Sequence, residues 1–341
     1  MKLYLFMIIF LVGILPVDDQ NESKLIIDAS PDQTNVNPLI RLRTFFGSDM
    51  LGITSDHPAN SFIGSRAGED ITTGSANTGM GNVALANTKG GSNNTGLGAV
   101  SSANNPEGNQ NTAIGTGALT QTLTASVNTS VGYLAGYIRD FGWNNVFVGA
   151  NTDSDKNDLF NIIAIGQGTL VTSSSTVRFG NSATGSYGGW ANWTNVSDGR
   201  FKKNIKPDVP GLDFILKLNP VTYQLDFNQI QNSLKENQGD SWNQLREKAI
   251  VEKEKIIQSG FIAQEVEKIA AGVGYEFSGV DAPKNSDDYY GLRYAEFVVP
   301  LVKSVQELNH ALMIRKMELQ AERKILDDRL NEVEKLIGGT F

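Results

Sequence analysis

The 341-residue chain has no cysteine and only two histidines, His57 and His310. That excludes disulfides, thiolate metal sites and a histidine-rich metal centre, and it leaves no residue for an N-terminal lipid anchor. No cofactor is expected. Basic blocks are missing as well: 29 Lys and Arg stand against 37 Asp and Glu, a net charge of -8. A phosphate-binding face needs clustered cations, so nucleic acid is not an expected partner. The apolar run Leu3–Val17 follows Lys2 and is broken by Gly13 and Pro16. It falls short of the roughly 20 residues that cross a bilayer. A single positive charge and a short apolar core predict a secretory signal peptide over residues 1–20. Residues 21–42 then read as a polar, extended leader.

What the chain has in abundance is glycine, at a fixed phase. Gly64, Gly81, Gly98, Gly115, Gly132, Gly149 and Gly166 recur every 17 residues. Four residues before each stands Asn60, Asn77, Asn94, Asn111, Asn128 or Asn145, with Ile162 in the seventh block. Directly before each glycine is an apolar residue: Ile63, Met80, Leu97, Ile114, Val131, Val148 and Ile165. So short and constant a period predicts stacked coils, because one coil alone cannot bury its few apolar residues. The fold class is therefore multidomain, opening with a β-solenoid (a β-roll of 17-residue coils) over residues 43–182.

In that solenoid the apolar residue before each glycine is expected to point inward. Asparagine is expected either to ladder along the stack or to make Asx turns, and glycine to permit tight corners. At about 4.8 Å per coil, seven coils make a rod of roughly 30 Å. Near Val177–Gly180 the phase is lost. Residues 183–196, with Tyr187, Trp190 and Trp193, form a junction. Its aromatics read either as a sugar-binding platform or as a cap, and an apolar stack end that needs covering favours the cap. Blocks such as Asn111-Thr112-Ala113-Ile114-Gly115 resemble the head repeats of trimeric autotransporter adhesins, with a longer period than is usual there. That resemblance implies left-handed β-rolls with three chains side by side.

From Ser197 the composition turns to Lys, Glu, Leu, Ile and Val, and an α+β domain is expected. Leu212–Leu218 reads as a short helix stopped by Pro220, and Val221–Leu225 as a strand. Gln238–Ile257 reads as a charged helix projecting from the body, and Ser259–Ala263 as a strand feeding a helix through Ile269. Tyr290–Leu292 reads as a strand edge. From Tyr294 a long helix carries Val298, Val305, Leu312, Leu319, Leu326 and Val333 at seven-residue spacing. Its companion positions are Leu301, Leu308 and Leu336, with Arg315, Glu322 and Arg329 in the middle. One intact stripe predicts a coiled coil, and the broken second stripe an irregular one or a helix lying along the body.

Two residues at the junction suggest covalent chemistry. A neutral Lys202 amine taking the Ser197 hydroxyl proton makes a serine–lysine dyad, provided that the lysine is desolvated. Phe201 beside it is one source of that environment. The Ser197 hydroxyl also adjoins the Val196 carbonyl and is placed to attack it. The same residues equally read as structure, with Asp198 and Ser197 capping a turn and Arg200, Lys202 and Lys203 as a solvated face. Paired carboxylates placed for glycan hydrolysis are not evident in the repeats.

Ser197-Asp198-Gly199-Arg200-Phe201-Lys202-Lys203-Asn204-Ile205 resembles the opening of the intramolecular chaperone domain of phage endosialidases and tail fibres, a self-cleaving peptidase family. Leu218-Asn219-Pro220-Val221-Thr222-Tyr223, Gly260–Val266 and Tyr294–Leu308 resemble later blocks in the same order, so the likeness spans 197–310. Phe201 stands where the family usually has Leu, and the charged run Asn232–Ser259 has the look of an insertion. The resemblance implies trimerisation through long helices and chaperoning of an elongated β-structured partner. It further implies a single-turnover cut at Val196–Ser197, with Ser197 as nucleophile and Lys202 as base. Residues 197–310 are then the chaperone domain and 311–341 its C-terminal helix or coiled coil. The whole reads as a secreted or surface-associated homotrimeric fibre with a glycan or protein receptor. The alternatives are a non-cleaving structural trimer and a glycan-binding fibre.

Overall fold

The structure, a computed structural model, describes residues 41–43, 49–52, 60–137, 142–234 and 243–338. The expected signal peptide lies outside the described residues, as does nearly all of the leader. The chain divides into two compact units, one up to Asn181 and one from Ser182 onward.

The first unit is a β-solenoid. Three-residue strands from Ser61–Ile63 to Ile163–Ile165 pair in parallel, each offset from the next by one 17-residue coil. Arg41–Arg43 and Asp49–Gly52 precede them in the same sheet as antiparallel strands. The coils that begin at Asn60, Asn77, Asn94, Asn111, Asn128 and Asn145 are each closed by that asparagine. Nδ2 of Asn77 donates to Gly91 O at 2.8 Å, while its Oδ1 accepts from Asn94 N at 2.9 Å. The same pair of bonds recurs at Asn94, Asn111, Asn128 and Asn145. A buried polar side chain is tolerated here because its donor and acceptor are both used. Of the two roles open to asparagine, laddering is the one adopted.

Glycine closes the strand for a steric reason. Gly115 has φ +129°, and a Cβ there would lie 2.3 Å from Gly132 O in the next coil. Only a residue without a side chain satisfies both conditions.

The direction of the apolar row differs from expectation. Ile63, Met80 and Ile114 are 42%, 49% and 38% exposed, and the residue before each is the buried one. Strand alternation explains the difference. With asparagine turned inward four residues before the glycine, the residue two before it also faces in, and the apolar residue directly before it faces out. The inward position carries Phe62, Gly79, Gly96, Ala113, Ser130, Phe147 and Ala164, because neighbouring coils share one volume. A Cβ on Gly79 would come within 2.7 Å of the Phe62 ring, and one on Gly96 within 3.0 Å of Leu85.

The 17-residue phase is lost near Val177, as expected, but the stack continues. Val177–Phe179 pairs with Ile163–Ile165 at an offset of 14 residues, adding one shortened coil. Ile162 has replaced the asparagine there and is fully buried in a cluster with Phe147, Leu159 and Val171. Tyr187, Trp190 and Trp193 are exposed.

The second unit is α+β and ends in a long helix. Leu212–Ile215, Phe227–Ser233, Asn243–Glu254 and Ala263–Gly272 are helical. Val221–Tyr223 pairs with Gln258–Gly260, and Val280–Asp281 with Gly291–Leu292, both antiparallel. The core gathers Phe214, Val266, Ala270, Phe277 and Phe297, with Phe277 edge-on to Phe297 at 4.8 Å. The helix expected to project is instead tied down at its end. Ile250 is buried, and the Lys253 amine donates to the carbonyls of Ser182 and Thr184 and lies over the Phe227 ring.

A 3-10 turn at Tyr294–Phe297 leads into the helix Val298–Gly338. Only its first turns pack, through Pro300 and Ser304, and Glu307 accepts the Leu212 N–H at 2.8 Å. Residues 308–338 are exposed on every side. This stretch therefore does not lie along the body. At about 1.5 Å per residue the 41-residue helix is about 60 Å long.

Candidate functional site

Ser197 and Lys202 lie five residues apart in sequence and are brought together by one turn. Gly199–Phe201 forms a single 3-10 turn, closed by Phe201 N to Asp198 O and Lys202 N to Gly199 O, both 3.1 Å. The turn reverses the chain, so that Lys202 Nζ donates to Ser197 Oγ at 2.8 Å within one protomer.

Asp198 sets this turn. Its Oδ1 accepts the Arg200 N–H at 2.9 Å, which caps the first open donor of the turn. The Arg200 guanidinium then closes on the same carboxylate, Nε at 3.0 and 3.1 Å and Nη2 at 2.6 Å. Two-point contact of this kind suits the planar fork of arginine. The Arg200 side chain, and then its N–H, hold the Asp198 carboxyl below the usual carboxylate range.

Phe201 does not shelter the lysine. Its ring is largely exposed and lies 5.8 Å from the Arg200 guanidinium, so the cation over it is Arg200. Ser197 and Lys202 are themselves exposed, as are all residues from 199 to 208. The Asp198–Arg200 clamp is the feature that sequence reading missed. Its signal was the two-residue spacing of an acid and an arginine around Gly199.

Residues 197–275 match the model of the family described as chaperone of endosialidase. The match begins at Ser197, the first residue of the pair just described, and follows a β-solenoid of 17-residue coils. No curated protein matches the chain. No helix among the described residues is long and apolar enough to cross a membrane.

Proposed function

We propose that this chain is a secreted or surface-displayed fibre, adhesin-like in its repeats, whose C-terminal domain assembles a homotrimer and then releases itself at Val196–Ser197. The observation that carries this reading is the 2.8 Å contact between Lys202 Nζ and Ser197 Oγ at the first residue of the matched stretch.

The chemistry follows from the contact. Lys202 as the free amine takes the proton of the Ser197 hydroxyl, and Oγ attacks the carbonyl carbon of Val196. As the C–O bond forms, the peptide C–N bond breaks, and the Ser197 nitrogen leaves as an amine, taking back the proton that Lys202 had accepted. The resulting ester joins Val196 to Ser197 Oγ. Water then hydrolyses it to a Val196 carboxylate and a free serine hydroxyl.

Assembly has a physical rationale in the repeats. Successive coils make the same asparagine bonds, so chains slipped by one coil regain most of their contacts. A C-terminal clamp that fixes three ends in register penalises the slipped forms. The exposed stripe of Val305, Leu312, Leu319, Leu326 and Val333 supplies an apolar seam for such a clamp. Cutting afterwards separates the finished stack from the clamp. The exposed rings of Tyr187, Trp190 and Trp193 suit a glycan or protein receptor.

The solvent exposure of Ser197 and Lys202 favours a second reading, a trimeric surface protein that keeps its C-terminal domain, because an activated lysine needs desolvation. One measurement separates the two. Intact mass and oligomer size of the purified full chain are compared with those of Ser197→Ala. Two fragments meeting at residue 196 in the wild type, with Ser197→Ala whole, support release. A single intact wild-type species supports retention.

A further inference from the structure

By spacing, Asp198 and Lys202 form an acid–base pair four residues apart, an arrangement that brings opposite charges together around a helical turn. The structure shows a different pairing. Asp198 is taken by Arg200 through both carboxylate oxygens, and Lys202 is left to Ser197. We propose that Arg200 is a positioning residue for self-cleavage, which occupies Asp198 and so keeps it from binding Lys202. This rests on the cleavage reading above.

The reason is electrostatic. A lysine acts as a base only as the neutral amine, and a carboxylate ion-paired to it favours the ammonium form. Asp198 is required for another purpose, since its Oδ1 caps the turn that carries Lys202 back to Ser197. Its charge is adjacent to the dyad in sequence and needs a partner other than the lysine. Arg200 is suited to that task because it remains charged throughout the working pH range and grips a carboxylate at two points. The charged groups of the turn that carries Lys202 are Asp198, Arg200 and Lys203.

The role is distinguishable from simple support of the turn. If Arg200 merely braced the turn, deleting the Asp198 charge as well would not repair its loss. If it neutralises Asp198, removing both charges restores the lysine, because asparagine at 198 keeps the capping oxygen.

The test uses the full chain, made by cell-free synthesis in a short pulse and chased at a series of pH values between about 6 and 9, a range centred below the ordinary lysine pKa. Cleavage is followed by gel and mass for wild type, Arg200→Gln, Asp198→Asn with Arg200→Gln, and Lys203→Gln. Circular dichroism and oligomer size confirm that each variant folds. Arg200→Gln is expected to cut about tenfold more slowly near neutral pH, with its rate rising about one pH unit later, the tenfold-per-unit relation of a shifted acid–base equilibrium. The double variant is expected to return to within about twofold of wild type, and Lys203→Gln to keep the wild-type profile. The proposal is overturned if Arg200→Gln cuts like wild type, if the double variant stays as slow as Arg200→Gln, or if Lys203→Gln shifts the profile equally. A wild type that stays whole at every pH overturns the cleavage reading itself, and this proposal with it.

Discussion

The main-chain N–H of Asn128 donates to Oδ1 of Asn111 at 3.0 Å, while Asn111 Nδ2 donates to Ala125 O at 2.7 Å. One side chain thus closes its own coil and starts the next. Asn111→Ala leaves the buried N–H of Asn128 without a partner, while the Ala125 carbonyl keeps Asn105 Nδ2 at 3.2 Å. A loss of about 1–3 kcal/mol is expected, the cost of one buried polar group left unpaired. Thermal denaturation of the solenoid checks it. Asn111→Asp, which keeps the acceptor and loses the donor, is expected to fall measurably below wild type as well.

Glycine substitutions are expected to separate by position. Gly115→Ala meets both a φ of +129° and a carbonyl 2.3 Å from the new Cβ. The strained backbone alone costs about 1–3 kcal/mol, and the collision adds to it. Gly185→Ala meets nothing within 4 Å. Soluble yield and melting temperature should therefore drop sharply for the first variant and stay near wild type for the second.

Asp153 predicts a pH dependence. Burial pushes its carboxyl from the usual 3.8 up to about 8, against the opposing pull of the Ser154 N–H at 2.9 Å. The folded chain therefore binds this proton more tightly than the unfolded chain does. Stability from the group is full below the usual carboxyl range and is lost as pH rises towards 8. The melting temperature should decline between about pH 4 and 8 and level off above, and Asp153→Asn should flatten that slope. Melting curves of both proteins across the range decide the matter, and equal slopes would show that Asp153 is not the cause.

The long helix makes a prediction about assembly. Leu312 and Leu319 are exposed in the single chain, far from the core around Phe214 and Phe297. Replacing both with Glu puts like charges into the proposed seam and leaves the core contacts intact. Light scattering should report a monomer for this variant and a trimer for the parent, while circular dichroism retains the β signal. A variant that stays trimeric would place the clamp elsewhere.

Much of the fold was legible in residues at fixed phase. The coil length, the parallel register and the need for glycine all follow from Gly64 to Gly166. The inward residue was harder to read because its identity varies among Phe62, Gly79, Ala113 and Ser130, each complementing its neighbours in volume. The clue was present nonetheless: a laddering asparagine must face in, and a period of two then turns Ile63 and Met80 outward. The shortened last coil was legible only as a loss of phase: Phe179-Gly180 repeats the apolar–glycine pair 14 residues after Ile165-Gly166, and only the strand pairing shows that it still joins the stack. At the junction, Ser197 and Lys202 were singled out mainly by resemblance. The bond that links them depends on a turn set by Asp198, which spacing alone leaves undecided between capping and ion pairing.

Because each asparagine of the series bonds only within its own coil and to the coils beside it, no bond of this series fixes the total number of coils. Removing residues 95–111 would join Asn94 to Thr112, which occupies the place of Thr95, and Asn94 Oδ1 would meet the N–H of Asn128 in place of that of Asn111. The length of the rod is therefore quantised, changing in increments of about 4.8 Å per deleted or duplicated coil. Lineages carrying such a repeat can lengthen or shorten their reach by whole coils, without redesigning either end.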